Sequence, residues 1–245
     1  MKIRSHKQDS LVIVYDADRI DQPGPELFDP AHWEARGALA GAAIGRGSAL
    51  FVDTAFGPAV LREYLRGGWP ARISRDRYFF VGYERSRPLA EFHVLAELAQ
   101  AGLPAPAPLA ALCRRRGLLY RGWLLMERIP DVEPLAELLQ SADRDPPLWR
   151  ACGETIRRFH AAGVVHADLN ARNVLVGPQY TVHLVDFDRA RIREADTDAF
   201  RCNLARLRRS LEKLWPPATA ERLGECWTWL LAGYGLPAGA SGDAT

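Results

Sequence analysis

Between Val164 and Asp188 the chain reads VVHADLNARNVLVGPQYTVHLVDFD, which gathers His166, Asp168, Asn173 and Asp186 into one short stretch. Two carboxylates, an amide and an imidazole at these intervals suit phosphoryl transfer from ATP, a reaction that needs positioning and charge neutralisation more than covalent help. The apolar run Val174-Leu175-Val176, the turn residues Gly177-Pro178 and a second run from Thr181 to Val185 predict a β-hairpin. Asn173 opens its first strand and Asp186 closes its second, so the two side chains can converge on one Mg²⁺–phosphate centre. Asp168 falls beside them and can take or orient the proton of an acceptor hydroxyl. The bland alternative is a polar loop in which Asp serves as turn residue and helix cap.

The longer pattern weighs against that alternative. The protein-kinase signature H-R-D-L-x-x-x-N appears as His166-Ala167-Asp168-Leu169-Asn170-Ala171-Arg172-Asn173, departing only at Ala167. Asp186-Phe187-Asp188 stands where D-F-G is expected, with Asp188 for the glycine, and no A-P-E follows. The expected fold class is therefore α+β, a protein-kinase-like two-lobed fold. Residues 38–129 form an antiparallel-sheet N-lobe and 130–245 a mostly helical C-lobe. Residues 1–37 precede them as an extension with no assigned chemistry, although Pro30-Ala31-His32-Trp33 opens a short helix.

The remaining elements must position this centre. Strands are expected over 38–44, 49–54 and 59–64. Gly41, Gly45 and Gly47 lie at the first turn, where bare backbone amides can approach phosphates. Leu50 occupies the place of the last glycine in G-x-G-x-x-G. Ala59-Val60-Leu61-Arg62 stands where V-A-I-K carries the phosphate-binding lysine, and no lysine occurs between Lys7 and Lys213. Arg62 can do that work, because a guanidinium is always charged and grips phosphate through two N–H groups. The amphipathic run 88–100 predicts a helix whose Glu91 pairs with Arg62, Glu97 being the second option. Runs 118–120 and 122–126 read as paired strands leading to a hinge, where Glu127 and Ile129 offer backbone groups to adenine. Helices are expected over 135–139, 149–162 and 203–215. The last places Leu204, Leu207, Leu211 and Leu214 on one face and Arg206, Arg208, Arg209 and Lys213 outside it, a surface able to meet an anionic acceptor or lipid headgroups.

Composition bounds the rest. With 245 residues, 48% apolar and 25% charged, the chain can bury a sizeable core. A net charge of +2 gives no reason to invoke nucleic acid. No apolar run approaches the length of a membrane span, and Met1-Lys2-Ile3-Arg4 does not begin a signal peptide. Cys113, Cys152, Cys202 and Cys226 show no metal-ligand spacing and read as reduced structural thiols.

Taken together, VVHADLNARNVL, LVDFDRA, the VLREYLRGG strand, the aromatic and basic RDRYFF insertion and the NLARLRRSL helix resemble the 3-deoxy-D-manno-octulosonic acid (Kdo) kinases of bacterial lipopolysaccharide core assembly. In that family an arginine in the VLR strand is expected. The resemblance implies transfer of the ATP γ-phosphate to the 4-hydroxyl of Kdo on a lipid A precursor, by a peripheral protein at the anionic cytoplasmic face of the inner membrane. It implies Asp168 as catalytic base, Asn173 and Asp186 as Mg²⁺ ligands, and Arg62 with Glu91 as the phosphate-positioning pair. A heptose or other small-molecule kinase, an antibiotic phosphotransferase or a small atypical protein kinase would use the same centre. A noncatalytic nucleotide-binding regulator would need none of Asp168, Asn173 and Asp186. Oligomeric state stays open at this level.

Overall fold

The computed structural model describes residues 1–42, 49–65, 78–139, 145–194 and 196–236. The chain divides into two compact units, the first made of Met1–Gln100 with Pro106–Arg128 and the second of Ala101–Ala105 with Ile129–Thr245. The architecture is mixed, an antiparallel sheet with helices, and is compatible with a kinase-like fold.

The first unit runs β1 (Ile3–Gln8), β2 (Leu11–Asp16), α1 (Pro30–Ala35), β3 (Leu39–Ala42), β4 (Ala49–Thr54), β5 (Gly57–Glu63), β6 (Tyr78–Phe79), α2 (Arg87–Gln100), β7 (Pro108–Arg116) and β8 (Leu119–Glu127). Its strands join in the order β1-β2-β7-β8-β5-β4-β3, with β6 added beside β8. The sheet buries Ile13, Val52, Leu61, Leu112, Trp123 and Leu125 together with Phe28 and Trp33 from the segment ahead of β3.

Two expectations change here. Residues 1–37, read as an extension, supply two strands of this sheet. The run Leu11 to Tyr15 is apolar almost throughout because β2 lies between β1 and β7, and Val12 to Tyr15 are all buried. Residues 118–120 and 122–126 are not two paired strands but one, β8, and its hairpin partner is β7. The turn is Gly117-Leu118, with Gly117 at φ 62, a left-handed conformation that glycine adopts without a Cβ penalty. Arg114, Arg115 and Arg116 end β7 with three exposed charges, which hid its strand character in the sequence.

The second unit runs β9 (Glu133–Pro134), α3 (Leu135–Leu138), α4 (Pro146–Ala161), β10 (Val164–Val165), β11 (Val174–Val176), β12 (Val182–Leu184), β13 (Arg191–Ile192), α5 (Thr197–Leu214) and α6 (Leu223–Tyr234). Helices α4 and α5 begin earlier than their apolar stripes suggest. Asp145 and Asp196 cap them, accepting from the N–H groups of Leu148 and Ala199. Helices α4 and α6 pack backbone to backbone. A Cβ on Gly153 would meet the Leu230 carbonyl oxygen at 1.9 Å, and one on Gly233 the Arg150 carbonyl oxygen at 2.0 Å. All four cysteines are free thiols, and three are buried. Burial pushes Cys113 up to about 11 and Cys152 up to about 12, so neither supplies a thiolate near neutrality. Cys202 is exposed on α5, contrary to its reading as structural.

Candidate active site

The hairpin forms as expected. Strands β11 and β12 pair from Val174↔Leu184 to Val176↔Val182, and Val185 N–H donates to the Asn173 carbonyl at 3.0 Å, extending the pairing to the candidate residues. Asp186 follows at φ 65, a left-handed conformation that Asp tolerates better than most residues. Phe187 is fully buried, stacked on Phe159 with ring centres 5.6 Å apart and packed on His166 at 4.9 Å. Leu169 and Ala171 are buried likewise, so apolar anchors alternate with the polar residues that stay accessible. Asp168 and Asp186 are both exposed.

His166 ties the loop to the strand end. Its Nε2–H donates to the Val185 carbonyl at 3.0 Å, and its Nδ1 accepts the Asp168 N–H at 3.1 Å. That requires a neutral ring. Burial lowers the imidazole's pKa and the Val185 bond opposes the shift. Asn173 completes the loop by donating its Nδ2 to the Asp168 carbonyl at 2.9 Å. The amide oxygen is thereby the atom left to meet a cation, and with the Asp186 carboxylate it makes a donor set of hard oxygens that fits Mg²⁺. Among the described residues no three His, Cys, Asp or Glu side chains cluster to hold a metal on their own. Two protein oxygens plus substrate phosphates is the usual Mg²⁺ arrangement.

The sequence reading missed what holds this loop. Asn203, Arg206 and Ser210 occupy i, i+3 and i+7 on α5, one helix face. Asn203 Nδ2 donates to the His166 carbonyl and its Oδ1 accepts the His166 N–H. Ser210 Oγ accepts the Ala171 N–H at 3.1 Å, and Arg206 Nη1 bonds Asp168 Oδ1 at 3.1 Å. Asn203 Oδ1 also lies 3.3 Å from His160 Nε2, whose ring stacks on Phe200 and bonds the Tyr234 hydroxyl. The available signal was Asn203 itself, an amide beside the apolar stripe of Leu204, Leu207 and Leu211.

In the first unit Arg62 on β5 pairs with Glu91 on α2, while Glu97 is exposed. The Glu91 side chain is 1% exposed and that of Arg62 19%. Tyr64, also missed, bonds both: Arg62 donates to its hydroxyl at 2.9 Å and the hydroxyl donates to Glu91. Burial holds that hydroxyl's pKa well above the usual phenol range, with Arg62 pulling it down. At the end of β8, Glu127 N–H donates to Ala107 and Arg128 N–H to Pro58, and the Glu127 carboxylate pairs with Arg19 at 2.8 Å. The chain passes to the second unit at Ile129. Gly45 and Gly47 lie outside the described residues. A cavity of about 500 Å³ between the Pro25–Phe28 turn and Trp123 contains none of the candidate residues.

A sequence model of the lipopolysaccharide kinase (Kdo/WaaP) family matches residues 30–234. The chain belongs to this family. It is an enzyme of a kinase family, and similar proteins named 3-deoxy-D-manno-octulosonic acid kinase occur in Xanthomonas axonopodis pv. citri and Xanthomonas euvesicatoria pv. vesicatoria, each 46% identical over 224 residues. A relative of the same name from Stenotrophomonas maltophilia is 44% identical. Each alignment covers 91% of this chain and 89% of the relative. Family membership spans both units, because the match begins at Pro30 and ends at Tyr234.

Proposed function

We propose that the protein transfers the γ-phosphate of ATP to a Kdo sugar, at the 4-hydroxyl, on a lipid A precursor in lipopolysaccharide inner-core assembly. The observation that carries this reading is the joining of Asp168, Asn173 and Asp186 through one loop and hairpin in a chain 46% identical to proteins named for that sugar acid. In the reaction the acceptor hydroxyl oxygen attacks the γ-phosphorus, the bond to the β–γ bridging oxygen breaks, and the hydroxyl proton passes to the Asp168 carboxylate. Mg²⁺ neutralises charge on the transferring phosphates when bound. Asn173 and Asp186 would hold it. Arg62, fixed by Glu91 and Tyr64, grips the nucleotide phosphates in place of a lysine, and the backbone of Glu127 and Ile129 meets adenine.

A lipid-linked acceptor calls for a protein that works at a membrane surface, and we place it peripherally on the anionic cytoplasmic face of the inner membrane. No helix among the described residues is long and apolar enough to span a bilayer. Support comes from one edge of the first unit. Phe79, Val81 and Leu118 are 69%, 65% and 77% exposed, beside the exposed Arg114, Arg115 and Arg116. Phe80 N–H bonds the Leu118 carbonyl, which joins the two exposed segments. Apolar side chains flanked by arginines suit an interface with anionic lipid.

The test is mass spectrometry of Kdo–lipid A precursor incubated with enzyme, ATP and Mg²⁺. We expect a gain of one phosphoryl group that leaves with the sugar on mild acid release of Kdo. A phosphate retained on the lipid A part, or no gain, would refute the acceptor assignment.

A further inference from the structure

Resting on the acceptor proposed above, we infer that Arg206 forms a subsite for the carboxylate of the acceptor sugar, beside Asp168. A sugar acid brings a second negative charge towards the carboxylate that must receive its hydroxyl proton. Two anions approach closely at low cost only with a cation between them. Arg206 supplies that cation at the right place, its Nη1 3.1 Å from Asp168 Oδ1.

Two other cations of α5 are engaged elsewhere. Arg201 bonds Asp198 at 3.5 Å, and Arg208 bonds Glu212 at 2.9 Å while stacking over Trp227. Arg206 lies between Asn203 and Ser210, the two α5 residues that fix the backbone of the catalytic loop, and is the α5 cation bonded to Asp168. Its location is therefore set to the loop by two rigid anchors, one on either side. An ion pair with both side chains about half exposed, 49% and 57%, adds little to stability. A guanidinium has five N–H donors, and among the described residues Arg206 uses it for one hydrogen bond, to Asp168. The remaining donors can receive a carboxylate in the forked geometry that arginine favours. Asp168 and Arg206 then read one acceptor at two points: the carboxylate takes the hydroxyl proton and the guanidinium fixes the acid group of the same ring.

The experiment compares wild type, Arg206→Gln and Arg206→Lys on a Kdo–lipid A acceptor and on the same acceptor with its carboxylate converted to the methyl ester. Wild type should lose at least tenfold in kcat/KM on the ester, mainly through KM. Arg206→Gln should lose about as much on the acid and nothing further on the ester, with KM for ATP unchanged, and Arg206→Lys should recover part of the loss. Wild type equally active on acid and ester overturns the subsite alone. So does an Arg206→Gln defect of equal size on both acceptors, or one confined to KM for ATP, since either makes Arg206 a partner of Asp168 or of the nucleotide. A wild type inert on both acceptors overturns the acceptor reading and the subsite with it.

Discussion

Asn203 holds His166 at both of its backbone groups, donating to the carbonyl at 2.8 Å and accepting from the N–H at 3.0 Å, across 37 residues of sequence. One side chain thus fixes the start of the His166–Asn173 loop to α5. Asn203 is 5% exposed, and replacing it with Ala leaves a buried donor and a buried acceptor without partners. Each such loss costs about 1–3 kcal/mol, so Asn203→Ala should lose roughly 2–6 kcal/mol in urea unfolding. Turnover should fall with it. An unchanged unfolding midpoint would show that Asn203 does not anchor the loop to α5.

Asp168→Asn keeps the shape of the side chain and removes its capacity to accept a proton. Phosphate transfer should be abolished while ATP still binds, as measured by calorimetry on the purified variant. Turnover near the wild-type rate would reassign the base.

Arg62→Ala should reduce kcat/KM for ATP at least tenfold, about 1.4 kcal/mol. It should also destabilise the fold, because it strands the buried Glu91 carboxylate, a loss of about 3–5 kcal/mol for a broken buried pair. The double variant Arg62→Met with Glu91→Met should be more stable than Arg62→Ala, since removing both charges leaves neither unpaired. Denaturant titration of the three proteins decides the order.

The parts legible in the sequence were those whose chemistry demands fixed residue types at fixed spacing. His166, Asp168, Asn173 and Asp186 are close in the chain, and the hairpin that joins them is signalled by its turn. Arg62 and Glu91 could be matched because a strand cation needs a helix carboxylate. Asn203, Ser210 and Tyr64 act through contacts that pattern does not encode. Asn203 reads as one polar position on a basic helix until the fold brings it to His166. Strand β7 escaped notice because three arginines end it, and β1 and β2 because a strand at the front of a chain has no neighbour until Pro108–Arg116 arrives to pair with it.

Burial pushes the His160 imidazole down to about 4 from its ordinary 6.5, against the opposing Asn203 bond. Between those values the unfolded chain takes a proton that the folded chain refuses. Stability is therefore full above pH 6.5 and falls as the pH drops, by roughly 3 kcal/mol at pH 4. Urea unfolding from pH 7 to pH 4 should show this slope, and His160→Gln should make it shallower. A wild-type stability independent of pH over that range contradicts the neutral, buried ring.

Gly153→Ala places a methyl group 1.9 Å from the Leu230 carbonyl oxygen, an overlap that only separation of α4 and α6 relieves. The expected cost is about 2 kcal/mol or more, visible as a lower melting temperature. Gly224→Ala on α6, with open space around it, is the control and should melt near the wild type.

Arginine at position 62 also decides which chemical probes this enzyme will answer. Strand β5 carries no amine, and the three lysines of the chain stand at positions 2, 7 and 213. A nucleotide analogue whose reactive acyl group reached this strand would meet a guanidinium, permanently protonated and without a free electron pair to attack. Acylation of a lysine on β5 therefore cannot report this protein, and lysine acetylation cannot silence the strand.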